Sequence, residues 1–280
     1  MRHIFKGMKK YPRLVISILI PLMVVGCQGY EKVLKGNDFR LKYHEAMRYY
    51  KKEDYVRAGA LFDQVAPVLR GTEQADTVYF YQALSYYKQE DYILGGHYFR
   101  IFASTYGGSP FAEEAEFMNA YCSYLMSPRP ELDQSSTLDA LQDFQLFLTK
   151  YKNSKRADEC KKYLIELREK LVDKSYISAK LYFNLENYKS AIVALNNSLI
   201  QYPDSKYREE ILYLMVKSCY EFAYNSIKVK QKERYQNTID EYYSFATEFP
   251  NSKYLKEVTH YFKLSSENSG VVNNNDLNLK

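Results

Sequence analysis

Tryptophan is absent from the 280 residues, and glycine and proline number only 11 and 8. So few turn formers exclude a many-stranded β protein and favour helices joined by short loops. No long apolar run is present either. The longest, Leu14 to Gly26, holds 13 apolar or small residues interrupted only by Ser17 and Pro21, too short for the ~20 residues of a membrane-spanning helix. Apolar residues at 46% and charged residues at 26% exclude both a disordered chain and a polytopic membrane protein. The length allows one or two domains, or one elongated repeat array. What is abundant is tyrosine, 30 residues of it.

The formal charge of +5 resides at the N-terminus. Arg2, Lys6, Lys9, Lys10 and Arg13 occur there with no acid up to residue 26, and without these five the remainder has 34 bases against 34 acids. A balanced remainder gives no reason to expect nucleic acid as a partner. A basic segment followed by an apolar one of this length is the pattern of a secretory signal peptide. It ends at Val24-Val25-Gly26-Cys27, which resembles a bacterial lipobox and implies cleavage after Gly26 and lipidation of Cys27. Several acyl chains on one cysteine give a stable anchor where a single chain would not. By resemblance to sorting in Gram-negative lipoproteins, Gln28 after the cysteine implies the outer membrane, on its periplasmic face.

Chemistry-bearing constellations are missing. Beyond Cys27 stand Cys122, Cys160 and Cys219, an odd number, each alone in an apolar helical stretch and read as a small buried thiol. His44, His97 and His260 lie far apart, without a second histidine at helical spacing, and no hydrolase, phosphate-loop or dinucleotide motif occurs. Glu113-Glu114 and Glu209-Glu210 each open a helix after a serine, where the helix dipole favours negative charge; this reading prevails over acid/base catalysis. The run Lys228, Lys230, Lys232 and Arg234 reads as a solvated helix end and turn. We therefore expect no enzyme, with no catalytic, metal or cofactor-binding residues.

From residue 38 the apolar residues recur at three and four, the helical period. A small residue, a large apolar one four later and another three later recur as Ala58/Phe62/Val65, Gly95/Phe99/Phe102, Ala140/Phe144/Phe147, Ala191/Leu195/Ser198 and Thr238/Tyr242/Phe245. Ahead of three of these ladders stand Ala46 and Tyr49, Ala83 and Tyr86, and Ala179 and Tyr182. Between the helices lie Glu53-Asp54-Tyr55, Glu90-Asp91-Tyr92 and Glu186-Asn187-Tyr188, where Asp or Asn suits the cap of the second helix. This is the layout of tetratricopeptide (TPR) repeats, at spacings longer than the ~34 residues of the plain repeat. The extra length predicts a loop over 127–136, a long helix between Ser154 and Glu186, and a second long helix over 205–230. The fold class is an all-α, TPR-like solenoid of five helix pairs with a C-terminal capping helix over Lys253 to Ser266.

Four repeat ends share an aromatic, a turn pair and a capping serine: Tyr106-Gly-Gly-Ser109, Tyr151-Lys-Asn-Ser154, Tyr202-Pro-Asp-Ser205 and Phe249-Pro-Asn-Ser252. At the end of the first repeat Gly71 stands in place of proline. The expected organisation is a signal peptide over 1–26, a lipidated linker over 27–37, N-terminal repeats over 38–152, C-terminal repeats over 153–266, and a disordered tail over 267–280.

The lipobox, the TPR-like ladders and the repeated boundary together resemble the BamD family of lipoproteins, components of the outer-membrane β-barrel assembly machinery. The resemblance implies a non-enzymatic scaffold anchored in the membrane by its lipid. Its implied partners are a BamA-like barrel protein, engaged at its POTRA domains by roughly residues 150–266, and unfolded outer-membrane protein segments facing 38–106. It names no individual partner-binding residues. Two other readings share parts of the sequence: a periplasmic TPR lipoprotein tethering cell-wall or division factors, and a carbohydrate-binding lipoprotein using its many tyrosines. Replacing Cys27 by alanine is expected to release the protein from membranes; a variant that still sediments with them after a high-salt wash contradicts lipidation as the anchor.

Overall fold

A computed structural model of the chain describes residues 29–270, and all regular secondary structure among them is helical. A short helix over 29–35 (α1) precedes Phe39–Lys51 (α2) and Tyr55–Val65 (α3). Next come Ala75–Lys88 (α4) with Tyr92–Thr105 (α5), and Ala112–Met126 (α6) with Ser135–Lys150 (α7). Ala157–Asn184 (α8) is followed by Tyr188–Gln201 (α9), Arg208–Tyr224 (α10) by Lys228–Glu248 (α11), and Leu255–Ser269 (α12) ends the series. The fold is an all-α, TPR-like solenoid of helix pairs. The described residues divide into two units, one of 29–127 with Ser135–Lys161, the other of Pro128–Gln134 with 162–270.

Each ladder occupies the second helix of a pair and points into the core. Phe62, Phe99, Phe102, Phe144, Leu195 and Phe245 have no exposed surface, each contributing about 1.5–3 kcal/mol of burial. The small residue at the head of the ladder lets the two helices of a pair approach. At Gly95 a Cβ would lie 3.1 Å from the backbone nitrogen and 3.3 Å from the Cα of Tyr87 on α4.

Inside three pairs the turn has one geometry. Glu53, Glu90 and Glu186 adopt left-handed backbone at φ 61°, 62° and 56°. The following residue donates its N–H back to Tyr49, Tyr86 or Tyr182 at 3.0–3.1 Å, closing a Schellman-type stop. Its side chain then caps the next helix: Asp54, Asp91 and Asn187 accept from the N–H of Arg57, Leu94 and Ser190 at 3.3, 3.0 and 3.4 Å. The tyrosine that opens each second helix packs on an aromatic five residues earlier, at 5.3 Å for Tyr50–Tyr55, 5.9 Å for Tyr87–Tyr92 and 5.9 Å for Phe183–Tyr188.

Between pairs a second geometry recurs. Ser109, Ser154, Ser205 and Ser252 each donate their N–H to the aromatic three residues back at 2.9–3.1 Å. Their hydroxyls accept from the N–H two residues on, at 3.2, 3.0, 3.1 and 3.0 Å. That second residue lies across a ring of the preceding pair's first helix: Phe111 on Phe80 at 4.6 Å, the Arg156 guanidinium on Phe117 at 4.0 Å, Tyr207 on Tyr176 at 3.9 Å and Tyr254 on Tyr213 at 4.2 Å. Five residues after each serine is a glutamate that meets a cation: Glu114 and Glu159 meet Arg156 at 2.6 and 3.0 Å, Glu210 meets Lys180 at 2.8 Å, and Glu257 meets Lys217 at 2.9 Å.

Several expectations change. The long helix expected over 205–230 ends at Tyr224, and Asn225 to Ile227 turn the chain into α11. Neither glycine nor proline occurs from Lys206 to Glu248, so no turn former marks the break. Hydrogen bonds from Thr72 to Leu69 and from Ala75 to Thr72 align the first repeat end with the other four, placing Arg70, rather than Gly71, where Pro203 and Pro250 stand. Gly71 instead supplies a backbone φ of 86°. Within the expected linker, 29–35 is helical, and its Tyr30, Val33 and Leu34 pack on the first core. The long α8 and the loop between α6 and α7 lie where expected. The capping helix runs to Ser269, three residues into the tail expected over 267–280, and Gly270 ends it in left-handed backbone at φ 73°; residues 271–280 lie outside the described residues.

A left-handed L-residue costs roughly 1–2 kcal/mol that glycine avoids. Glu53→Gly, Glu90→Gly and Glu186→Gly are each expected to stabilise their unit, raising the urea midpoint by roughly 1 kcal/mol equivalent. A lowered midpoint contradicts the turn assignment.

Candidate functional site

In the second unit a cleft of about 260 Å³ lies between α9 and α11 with α10 as its floor. It exists because α11 starts early: it begins ten residues before its ladder residue Thr238, whereas α3, α5 and α9 begin three before theirs. Ile192 and Val193 form one wall, Cys219 and Phe222 the floor, and Asp240 and Glu241 the other wall. Lys189 and Arg234 also line it. Arg234 lies 3.9 Å over the Phe222 ring and donates to the Ser226 hydroxyl, so it is held at the α10–α11 crossing.

Glu241 is the unusual member. It is half-buried and has no hydrogen-bond or ion-pair partner among the described residues. Burial, with the charge of Asp240 beside it, raises its carboxyl above the ordinary range. Such a group accepts a hydrogen bond from an incoming amide or ammonium while the apolar wall takes an aliphatic side chain. The cleft therefore fits a peptide segment of a partner protein.

In the first unit a cleft of about 510 Å³ lies between α1, α2 and the start of α3. Tyr30 packs edge-on to Tyr49 at 5.5 Å, and Arg57 lies 5.3 Å over Tyr30 while paired with Asp54 at 2.9 Å. Farther along the same unit, half-buried tyrosines form a band across α4 and α6, with Tyr87 and Tyr121 6.4 Å apart and Tyr121 stacked on Tyr124 at 5.7 Å. Most other tyrosines are consumed in packing at turns and boundaries.

The structure places the remaining sequence candidates apart from one another. His44, His97 and His260 are exposed on α2, α5 and α12. Cys122, Cys160 and Cys219 are free and buried, and burial pushes their thiols up to about 12, about 11 and about 12. Among the described residues no group of histidine, cysteine and carboxylate side chains could hold a metal ion. Glu113-Glu114 and Glu209-Glu210 occupy the first turns of α6 and α10, and Glu114 and Glu210 are committed to the boundary ion pairs. Cys27, with the expected cleavage after Gly26, lies outside the described residues. Sequence reasoning missed the Glu241 cleft, whose only signal was the unusual distance between the α11 start and its ladder.

The family model YfiO, outer membrane lipoprotein, matches residues 37–233. No curated protein sequence matches. Among solved structures, the TPR2AB domain of yeast Sti1 in its pHSP90 complex is 10% identical, covering 84% of this chain and 92% of that one at a TM-score of 0.37. The P58(IPK) TPR domain is 12% identical, covering 86% and 68% respectively at a TM-score of 0.40.

Because folding raises the Glu241 pKa, the folded state binds the extra proton, and stability falls as pH rises through the window above the unfolded value near 4.5. Glu241→Gln is expected to raise the urea midpoint at neutral pH and to leave it unchanged at about pH 4. An unchanged midpoint at neutral pH contradicts the half-buried, unpaired carboxylate.

Proposed function

The chain belongs to the YfiO family of outer membrane lipoproteins, the BamD-like family its boundaries resemble, and from this we propose that it is a non-enzymatic scaffold for β-barrel assembly. In this reading acyl chains on Cys27, exposed by cleavage after Gly26, hold it at the periplasmic face of the outer membrane. The C-terminal repeats engage the POTRA domains of a BamA-like barrel protein. The N-terminal repeats receive extended segments of unfolded outer-membrane proteins.

The family match over 37–233, which takes in nearly all the helix pairs, carries the reading. The local chemistry supports its two halves. The α9–α11 cleft pairs an aliphatic wall with an unpartnered carboxylate, suited to a folded domain that inserts a short peptide edge. The tyrosine band of α4 and α6 offers wide contact area at a small entropy cost, suited to extended segments of varied sequence. The buried thiols and scattered histidines do not assemble a reaction centre.

The test is co-purification at near-native expression in mild detergent. A POTRA-containing barrel protein is expected to accompany the chain, and Val193→Asp in the cleft is expected to weaken its retention about tenfold, the loss of one buried aliphatic contact. Repeated absence of any such protein contradicts the reading; retention unaffected by Val193→Asp moves the contact off the cleft.

A further inference from the structure

The hairpin joining α10 to α11 departs from the other pairs in three ways. Its second helix is long: α11 has 21 residues against 11, 14, 16 and 14 in the other second helices. Its end is apolar and open to solvent, with Tyr224, Ile227 and Val229 exposed by 61%, 68% and 91%. Between and after them stand Lys228, Lys230 and Lys232, all exposed and with no ion-pair partner among the described residues. From Asn225 to Lys232 no acid occurs; Glu233 follows. The first turn of α11 thus carries cations and no acid at the positive end of the helix dipole, with Ile227 rather than a capping side chain before it.

The tip is held firmly. Arg234 donates to the Ser226 hydroxyl and lies over Phe222, Gln231 donates to the Tyr224 carbonyl at 3.0 Å, and Tyr235 is buried. A rigid projection alternating apolar and lysine residues fits one kind of surface. Protein interfaces are depleted of lysine at their cores. At a bilayer, aliphatic side chains enter the acyl region, tyrosine settles at the headgroup level and lysines extend toward lipid phosphates. Each lysine near an anionic leaflet adds attraction.

We propose that the α10–α11 tip, from Tyr224 to Lys232, docks on an anionic phospholipid surface, with Ile227 and Val229 inserted and Lys228, Lys230 and Lys232 on headgroup phosphates. The inference rests on the reading that the protein is held at the outer membrane, and adds a second, protein-borne contact to the acyl chains. Together they would give the second unit a contact with the leaflet of its own, beyond that of the acyl chains.

The test places an environment-sensitive fluorophore on Val229→Cys in the full lipidated protein, with Lys152→Cys on an exposed boundary turn as control. The native thiols are buried and do not compete for the label. The probe surfaces are excess vesicles of phosphatidylethanolamine with phosphatidylglycerol, or with neutral lipid in its place. Expected is a blue shift and quenching by lipid-borne quenchers at Val229→Cys on the anionic vesicles only, with no change at Lys152→Cys. Replacing Lys228, Lys230 and Lys232 by glutamine should reduce the quenched fraction several-fold. Water-like emission at Val229→Cys overturns the proposal, as does a shift that appears only when a POTRA protein is added. Excess vesicles bring lipid to the tip with or without acyl chains, so a separate flotation assay after a high-salt wash reports on the anchor alone.

Discussion

The boundary turn is the constraint on which the rest of the structure depends. A helix pair cannot bury its own apolar face; it must be completed by the next pair. At four successive ends the serine hydroxyl accepts from the N–H two residues ahead, fixing the direction in which the new helix departs. That same second residue becomes the flat plate that covers a ring of the preceding pair, and a glutamate one turn later finds a cation. Capping, stacking and ion pairing are thus set by one six-residue stretch. Arg156 fills the plate position with a guanidinium where the others use aromatic rings, which keeps the flat contact and lets the same side chain bridge Glu114 and Glu159.

Because the boundaries hold the pairs in order, the other ends of the helices are free to vary. The turns inside pairs are tight where Glu53, Glu90 and Glu186 adopt left-handed backbone. They differ at the 127–134 loop, which is longer, and at the α10–α11 turn, which is as short but has no left-handed residue and leads into the longer α11. The cleft beside Glu241 and the lysine-rich tip both arise from that extension. A carboxylate without a partner and a helix start without a cap are local departures from consistency, the kind that proteins tolerate where a surface is used.

Much of this was legible in the sequence. The five ladders located the second helices, the serines marked the boundaries, and the absence of Gly and Pro after Ser154 gave the long α8. The left-handed glutamates were not legible, because no residue type announces that backbone when glycine is not used. The position two after each serine was visible but unread, since arginine in one of four copies hides a shared role that depends on shape rather than polarity, and Glu114 and Glu210 five after were read as helix-dipole charges, not as ion-pair partners. The break at 225–227 was hidden because no glycine or proline marks it. The cleft was hidden because it depends on where α11 begins relative to its ladder, and the lipid anchor at Cys27 is a reading of sequence alone.

The central claim, that the boundary plate couples each pair to the one before, is tested most directly by a double-mutant cycle on Tyr176 and Tyr207, which stack at 3.9 Å with planes 6° apart. Urea unfolding of Tyr176→Ala, Tyr207→Ala and the double variant gives the coupling between the two rings. The account predicts a favourable coupling of about 0.5–1.5 kcal/mol. Strict additivity of the two single effects would contradict it.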